Sequence, residues 1–294
     1  MTAPRRVLIT NDDGIHASGL RWLAWAAVNA GHEVIVVAPD YEASGSSASL
    51  TAVYRDRRLA VKRTEFDPPV EAYSVQASPG YIVMLAIIGT FGRRPDLVLS
   101  GINRGANNGH VVLHSGTVGA ALTAANHGIP AMAVSLDVMP ADDSSGSLAE
   151  YFAGVDSDSL HWGTASELAH RLLSPMDSIP AGTVLNLNVP NRPLSTLRGV
   201  KYATLAPFGH VQMAVAETGE GYVRTTVERT TDRLQPDTDV ALLGEGYASA
   251  TVITTIQEVT ASAELCAAIE ACGDHSGDRG GDRTGGRGQP QVVA

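Results

Sequence analysis

The chain has 294 residues, 44% of them hydrophobic, enough apolar material for one large core or two smaller ones. Its formal net charge of −10 and the lack of any basic run argue against a sequence-independent nucleic-acid surface. No stretch reaches the ~18 apolar residues of a membrane-spanning helix.

Met1 to Arg6 has no apolar core followed by a small-residue cleavage site, so a cytoplasmic protein is expected. Val7-Leu8-Ile9-Thr10 then reads as a strand, followed at once by Asn11-Asp12-Asp13-Gly14. Two adjacent carboxylates raise each other's pKa. A divalent cation removes that cost, and hard oxygen ligands suit Mg²⁺, Mn²⁺ or Ca²⁺. The same four residues are also ordinary turn chemistry, and both readings stand at this point.

Leu20, Leu23, Ala24, Ala27 and Val28 recur at helix spacing. Ser18 is the expected N-cap and Gly31 the expected C-terminal cap. Glu33 to Asp40 reads as a buried strand ending in a polar loop, which completes a strand–helix–strand unit of a parallel sheet. Its apolar run is continuous, as in strands covered on both faces. The loop Tyr41 to Ser49 carries four serines at the sheet edge shared with Asp12, either for a ligand or as a flexible turn.

Short strands are expected at Val61 to Arg63 and Val70 to Val75, and a helix over Tyr81 to Phe91 after Ser78-Pro79-Gly80. Asp96 to Ser100 is another buried strand and runs into Gly101-Ile102-Asn103-Arg104-Gly105-Ala106-Asn107. The Asn103 side chain offers a neutral oxygen to a hard-metal shell. Ser115-Gly116-Thr117, followed by small residues to Asn126, is a helix N-terminus with free N–H groups and the positive end of a dipole, an anion site. The small residues equally suit close helix–sheet packing.

A strand over Ala131 to Leu136, an exposed loop from Met139 to Asp158 and a helix over Leu160 to Leu173 come next. Strands follow at Thr183 to Pro190, where Asn186 and Asn188 alternate with apolar residues, and at Val200 to Ala206. The segment 207–238 carries β-prone pieces at Val211 to Val215 and Tyr222 to Val227 and reads as a hairpin arm. Asp239 to Ile256 is expected to be β, with a turn at Gly244 to Tyr247. A short helix near Ala261 to Cys272 contains both cysteines, Cys266 and Cys272, which form neither a disulfide framework nor a zinc pattern. The Gly/Asp/Arg-rich stretch 273–294 is expected to be disordered.

Several of these stretches together resemble the SurE family of metal-dependent 5′/3′-nucleotidases. They are Thr10 to Ile15, Val37 to Asp40 with Ser44-Gly45 and Ser49-Leu50-Thr51, Ser100 to Gly105 with Asn107, His114 to Val118, Gly128-Ile129-Pro130, Leu185 to Pro190, and Glu245-Gly246-Tyr247. They occur in the family's order over residues 7 to about 256.

The resemblance implies an α/β fold: a Rossmann-like three-layer core with a mainly parallel sheet, plus a β-hairpin arm and C-terminal segment used in oligomerisation. It implies one such domain over 1–272, with the arm at about 207–238. It implies one divalent metal ion per subunit, Mg²⁺ or Mn²⁺, on Asp12, Asp13, Ser44 and Asn103. It places phosphate binding on Asn107, Ser115, Gly116 and Thr117, and catalysis on Asp12, Asp13, Asn107 and Ser115. The implied partner is a nucleoside monophosphate or related small phosphate ester, with no membrane and no stable nucleic-acid partner, in a homodimer or homotetramer.

Three positions depart from the family pattern. Ala106 stands where proline is usual, Ser78-Pro79-Gly80-Tyr81-Ile82 replaces a Thr-Pro-Ala-Asp-Cys type of stretch, and Ala48 replaces Asn or His. All four implied metal ligands are retained, so the departures bear on substrate range, and a phosphatase for another phosphorylated metabolite is the alternative. A regulatory module that keeps the metal site without turnover is the non-enzyme alternative. A dinucleotide oxidoreductase lacks its G-x-G-x-x-G after the first strand, and no Gly-x-Ser-x-Gly elbow frames Ser44 or Ser115 for a serine nucleophile. His114 is a candidate proton donor to the leaving group, or a residue of the pocket wall.

Overall fold

Apolar β-branched runs form strands because their stiff side chains pack well on a pleated surface. In the computed structural model, which describes residues 3–139, 155–209, 211–229 and 234–272, these runs pair into one sheet. In chain order the elements are β1 (Arg6–Thr10), α1 (Ser18–Asn29), β2 (Glu33–Pro39), β3 (Tyr54–Arg55), β4 (Arg58–Leu59), β5 (Val61–Arg63), β6 (Glu71–Val75), α2 (Pro79–Ile87), β7 (Leu97–Arg104), α3 (Gly116–Asn126), β8 (Ala131–Asp137), α4 (Trp162–Leu172), β9 (Thr183–Pro190) and β10 (Val200–Tyr202), of which β3 and β4 pair apart from the main sheet. The hairpin β11 (Val211–Gly219) and β12 (Tyr222–Arg229), α5 (Asp239–Gly244), β13 (Ala248–Thr254) and α6 (Ala263–Ala271) follow. The chain divides into two units, Met1–Thr255 and Ile256–Ala294. The second holds α6, on which Cys266 is free and exposed, as is Cys272 just after it.

The main sheet has nine strands in the order β10-β13-β9-β8-β7-β1-β2-β6-β5. Only β13–β9 and β5–β6 pair antiparallel; the other neighbours are parallel. The chain moves outward from β1 through β2 to β6, then returns to lay β7 on the other side of β1. The crevice at such a reversal, beyond the carboxyl ends of the strands, is where open α/β sheets bind ligands. Helices cover both faces. Leu20, Leu23, Trp162 and Leu168 bring α1 and α4 onto one face. Ile82, Val83, Val118 and Ala121 bring α2 and α3 onto the other. The α/β class and the mainly parallel sheet agree with the sequence.

Local differences have physical causes. Helix α1 is capped at Ala17 without a side-chain hydrogen bond, so Ser18 lies inside the helix and is not its N-cap. Gly31 follows α1 at φ +78°, the left-handed position expected of it. Helix α2 stops at Ile87, short of Phe91, because the amides of Gly89 and Thr90 fold back on Ala86 O and Leu85 O. The stretch after Asp239, expected to be β, begins with α5. A four-residue apolar run does not by itself separate helix from strand, and the Thr238 hydroxyl tips the balance by capping the Ala241 amide at 3.3 Å. Strand β10 is shorter than the expected 200–206, and the β3–β4 hairpin has no counterpart in the sequence reading. Residues 140–154 of the expected 139–158 loop, and the expected disordered tail 273–294, lie outside the described residues.

The 211–229 segment pairs antiparallel as a separate two-stranded sheet, consistent with a hairpin arm. Among the described residues no helix is long and apolar enough to cross a membrane.

Helix α1 approaches the end of β7 so closely that an added Cβ on Gly19 would run into the Ile102 carbonyl oxygen and lie 2.9 Å from the Trp162 ring. Gly19→Ala should therefore push α1 off β7 and lower stability by about 1–3 kcal/mol, read as the shift of the urea unfolding midpoint at constant m-value. An unchanged midpoint would contradict this close approach.

Candidate functional site

Strand β1 delivers its chain to the switch point, and the turn after it is built from its own polar groups. Asn11 is fully buried and donates Nδ2–H to Gly14 O at 3.1 Å. Gly14 sits at φ +98°, a conformation L side chains rarely adopt. The loop after β2 is stitched to this turn by Ile15 N–H to Pro39 O (2.8 Å) and Ala43 N–H to Asp12 O (2.6 Å). Asp12, Asp13 and the Ser44 loop are thereby held as one edge.

Helix α3 closes the other side. An added Cβ on Gly116 would lie 2.6 Å from both Asp12 Oδ2 and Ser46 Oγ, so only glycine allows the helix this near to the carboxylate. The Thr117 hydroxyl donates to Asp12 Oδ1, and the Thr117 amide also bonds the Asp12 carboxylate. The Ser115 hydroxyl accepts from Val118 N–H at 3.0 Å as the N-cap of α3. Farther along, Gly119 packs against the backbone of Ser47 and Ala48, which locks the serine-rich loop to the helix.

These elements enclose an open cleft of about 580 Å³ lined by Asp12, Asp13, Ser44, Asn103, Asn107 and Ser115. Gly116 and Thr117 stand behind Asp12 at the helix start. All eight residues singled out in the sequence thus gather at one end of the sheet. The structure turns Thr117 toward Asp12 through both its hydroxyl and its amide. The cleft also contains groups that the sequence reading assigned no role: Glu42, Arg104, Trp162 and Ser157. Glu42 accepts from the Ser44 hydroxyl at 2.9 Å, and its place in the serine-rich loop was a usable signal. Arg104 follows Asn103 directly. Its amide bonds Asp13, while its guanidinium reaches Val155 O at 2.6 Å. Trp162 had no sequence signal, since it begins a helix whose loop neighbours are distant in the chain. His114 lines the cleft, whereas His110 does not.

Electrostatically the two carboxylates are poorly accommodated by the protein alone. Burial raises the pKa of Asp12, and the Thr117 bonds only partly oppose it. Burial, then the neighbouring Asp12 charge, pushes Asp13 up to about 7 against the Arg104 amide, which favours the anion.

The donor set fits a hard divalent cation. Two carboxylates, a hydroxyl and a side-chain amide are all oxygen donors. Asn103 donates its Nδ2–H to Gly105 O at 2.8 Å, which leaves Oδ1 as the end available to a cation. Ser46 Oγ, close to Gly116, is buried without a hydrogen-bond partner among the described residues. No group of three or more His, Cys, Asp or Glu converges among the described residues, so the site depends on its neutral oxygens.

The model of the family described as survival protein SurE matches residues 7–210. A protein named 5′-nucleotidase SurE from Stenotrophomonas maltophilia (strain R551-3) is 37% identical over 214 residues, 72% of this chain and 74% of that protein. One of the same name from Aeromonas hydrophila is 34% identical over 254 residues, 85% of this chain and 92% of its own. Another, from Xylella fastidiosa (strain 9a5c), is 40% identical over 202 residues, 68% of this chain and 70% of its own. The crystal structure of the SurE protein from Aquifex aeolicus matches the fold with a TM-score of 0.68 at 24% identity, covering 92% of this chain and all of that one.

A pH dependence follows from Asp13. The unfolded chain releases this proton near 3.8, the folded metal-free protein near 7. Between those values the native state binds more protons, so metal-free stability falls as pH rises through the window. A cation needs the ionised carboxylates, so Mn²⁺ affinity should climb with pH toward about 7 and binding should release protons. Calorimetric titration in buffers of different ionisation enthalpy reads both effects; affinity independent of pH from 5 to 8 would contradict the raised Asp13.

Proposed function

The chain belongs to the SurE family, and from that premise we propose a metal-dependent phosphoric monoester hydrolase that converts nucleoside 5′- or 3′-monophosphates to nucleoside and phosphate. Nucleotidase activity on nucleoside monophosphates follows from membership and from the relatives' shared name. The observation that carries the residue assignments is the pair of buried, adjacent carboxylates set directly against a helix N-terminus at one cleft. Asp12, Asp13, Ser44 and Asn103 are assigned to one Mg²⁺ or Mn²⁺ per subunit. Such an ion supplies neutralisation of the charge that develops on a transferring phosphoryl group.

The remaining work belongs to the chain's own groups. Asn107, Ser115 and the amide of Gly116 bind phosphate oxygens at the positive end of the 11-residue helix α3. Thr117 holds Asp12 in register with that helix, so the carboxylate and the anion site move as one body. Asp12, Asp13, Asn107 and Ser115 form the catalytic set. His114 lines the cleft and is the candidate proton donor to the departing nucleoside oxygen. Two features support a homodimer or homotetramer: the separate β11–β12 hairpin and its exposed Val215, Tyr222 and Val223. A cytoplasmic location is part of the same proposal.

Phosphate release from a panel of 5′- and 3′-nucleotides, short polyphosphate and sugar phosphates with Mn²⁺ tests the activity. Nucleoside monophosphates should turn over, and chelation should abolish release. Asp12→Asn should lower kcat/KM by more than about 100-fold, beyond the range typical of groups that only support a ligand. No metal-dependent release from any member of the panel would instead favour a phosphate-binding module.

A further inference from the structure

Strand β9 carries two asparagines where its neighbours Leu187 and Val189 are core residues. Asn186 and Asn188 have no solvent exposure. They are two residues apart, hence on one face of the strand, the face shared with Val184 and the α2–α3 core. A buried amide without partners costs roughly 1–3 kcal/mol, so where these two bond is informative. Both converge on a single residue of another segment. Asn186 Nδ2 donates to Asn107 O at 2.8 Å, and Asn188 Nδ2 donates to the same oxygen at 2.9 Å. Asn188 Oδ1 accepts the Asn107 amide at 2.8 Å. The Asn107 carbonyl thus spends both lone pairs, and its backbone is gripped at the N–H and the C=O together.

The side chain is fixed as well. Asn107 Nδ2 donates to the fully buried hydroxyl of Ser135 at 2.8 Å. Ser135 lies on β8 in register with Asn103 on β7 and with Asn188 on β9. A polar row therefore crosses three strands at their carboxyl ends and joins the cation edge of the cleft to its phosphate edge. The bond to Ser135 leaves the second Nδ2 hydrogen and Oδ1 of Asn107 for a ligand. Ala106 places no ring constraint on the loop backbone; Gly105 N–H to Leu136 O and Gly109 N–H to Asp239 Oδ2 hold the loop on either side, and this clamp holds residue 107 itself.

We propose that Asn186 and Asn188 are positioning residues. They hold Asn107 at the distance from the Asp12–Asp13 edge at which it can bind a phosphate oxygen, without touching substrate themselves. This rests on the assignment of Asn107 to phosphate binding.

A double-mutant cycle tests it on the full chain with saturating Mn²⁺ and a nucleoside monophosphate. Asn188→Ala should lower kcat/KM about 10- to 100-fold and weaken competitive inhibition by inorganic phosphate in parallel, with Mn²⁺ affinity unchanged. In an Asn107→Ala background the same substitution should cost less than about 2-fold, because the residue it positions is gone. Equal losses in the two backgrounds, or lost thermal stability with no change in phosphate inhibition, would overturn the positioning role. Should Asn188→Ala fail to fold, Asn186→Ala removes one donor while leaving the Asn107 amide paired, and is read in the same cycle. Full activity in Asn107→Ala alone would mean instead that the Asn107 assignment is wrong, a separate outcome visible in the single variant.

Discussion

Two carboxylates are held side by side where burial disfavours both charges. Everything at this end of the molecule follows from that constraint. Strand β1 is buried along its whole length, so the side chains immediately after it emerge at the floor of a crevice rather than on a surface. There, desolvation raises both Asp12 and Asp13, with the Glu42 charge adding to it at Asp12 and the Asp12 charge at Asp13. The protein answers with the Thr117 hydroxyl and amide on Asp12 and, on Asp13, the Arg104 amide with a smaller contribution from the Arg104 charge. These groups offset the burial only in part, since both carboxylates stay raised, and a divalent cation suits what remains.

The same constraint explains the glycine and the small residues of α3. A positive helix end opposite a carboxylate is favourable, but its reach is short, so the helix must come close. Gly116 permits that approach to Asp12, and Gly119 permits it to the serine-rich loop. Sequence smallness that looked equally like ordinary packing is therefore packing of a particular kind. It brings a helix N-terminus to the edge of a carboxylate pair, the arrangement that the proposed hydrolysis of a phosphate ester with a divalent ion uses.

What could be read from the sequence was what depends on neighbours in the chain. The buried strands, the carboxylate pair, the amide-rich loop after β7 and the start of α3 each announce themselves within about ten residues, and the sheet edge they share follows from the rule for parallel sheets. What could not be read depends on contacts between distant segments. Trp162 enters the cleft because α4 packs beside α1, and nothing near it in the chain says so. The expected strand after Asp239 became a helix because one hydroxyl, Thr238, supplied a cap to a run with no decisive period. The three departures at 48, 78–82 and 106 were visible, yet their consequences were not. At Ala106 the structure answers the question with a network from two other strands.

That network shows why the asparagines of β9 escaped a functional reading. Alternation of Asn with Leu and Val resembles a half-exposed strand, in which polar residues face water. Here the face they occupy is wholly buried, so the amides must be satisfied inside the protein. Their Nδ2 groups, and Oδ1 of Asn188, bond a loop some eighty positions earlier in the chain, while Asn186 Oδ1 has no partner among the described residues. A buried polar group that spends its bonds on a neighbouring strand stabilises the sheet. One that spends them on a loop at the ligand edge restricts that loop, and the benefit appears in how a ligand is held. Asn186 and Asn188 fall in the second case, so the core of this sheet and the geometry of its cleft are parts of one hydrogen-bonded structure.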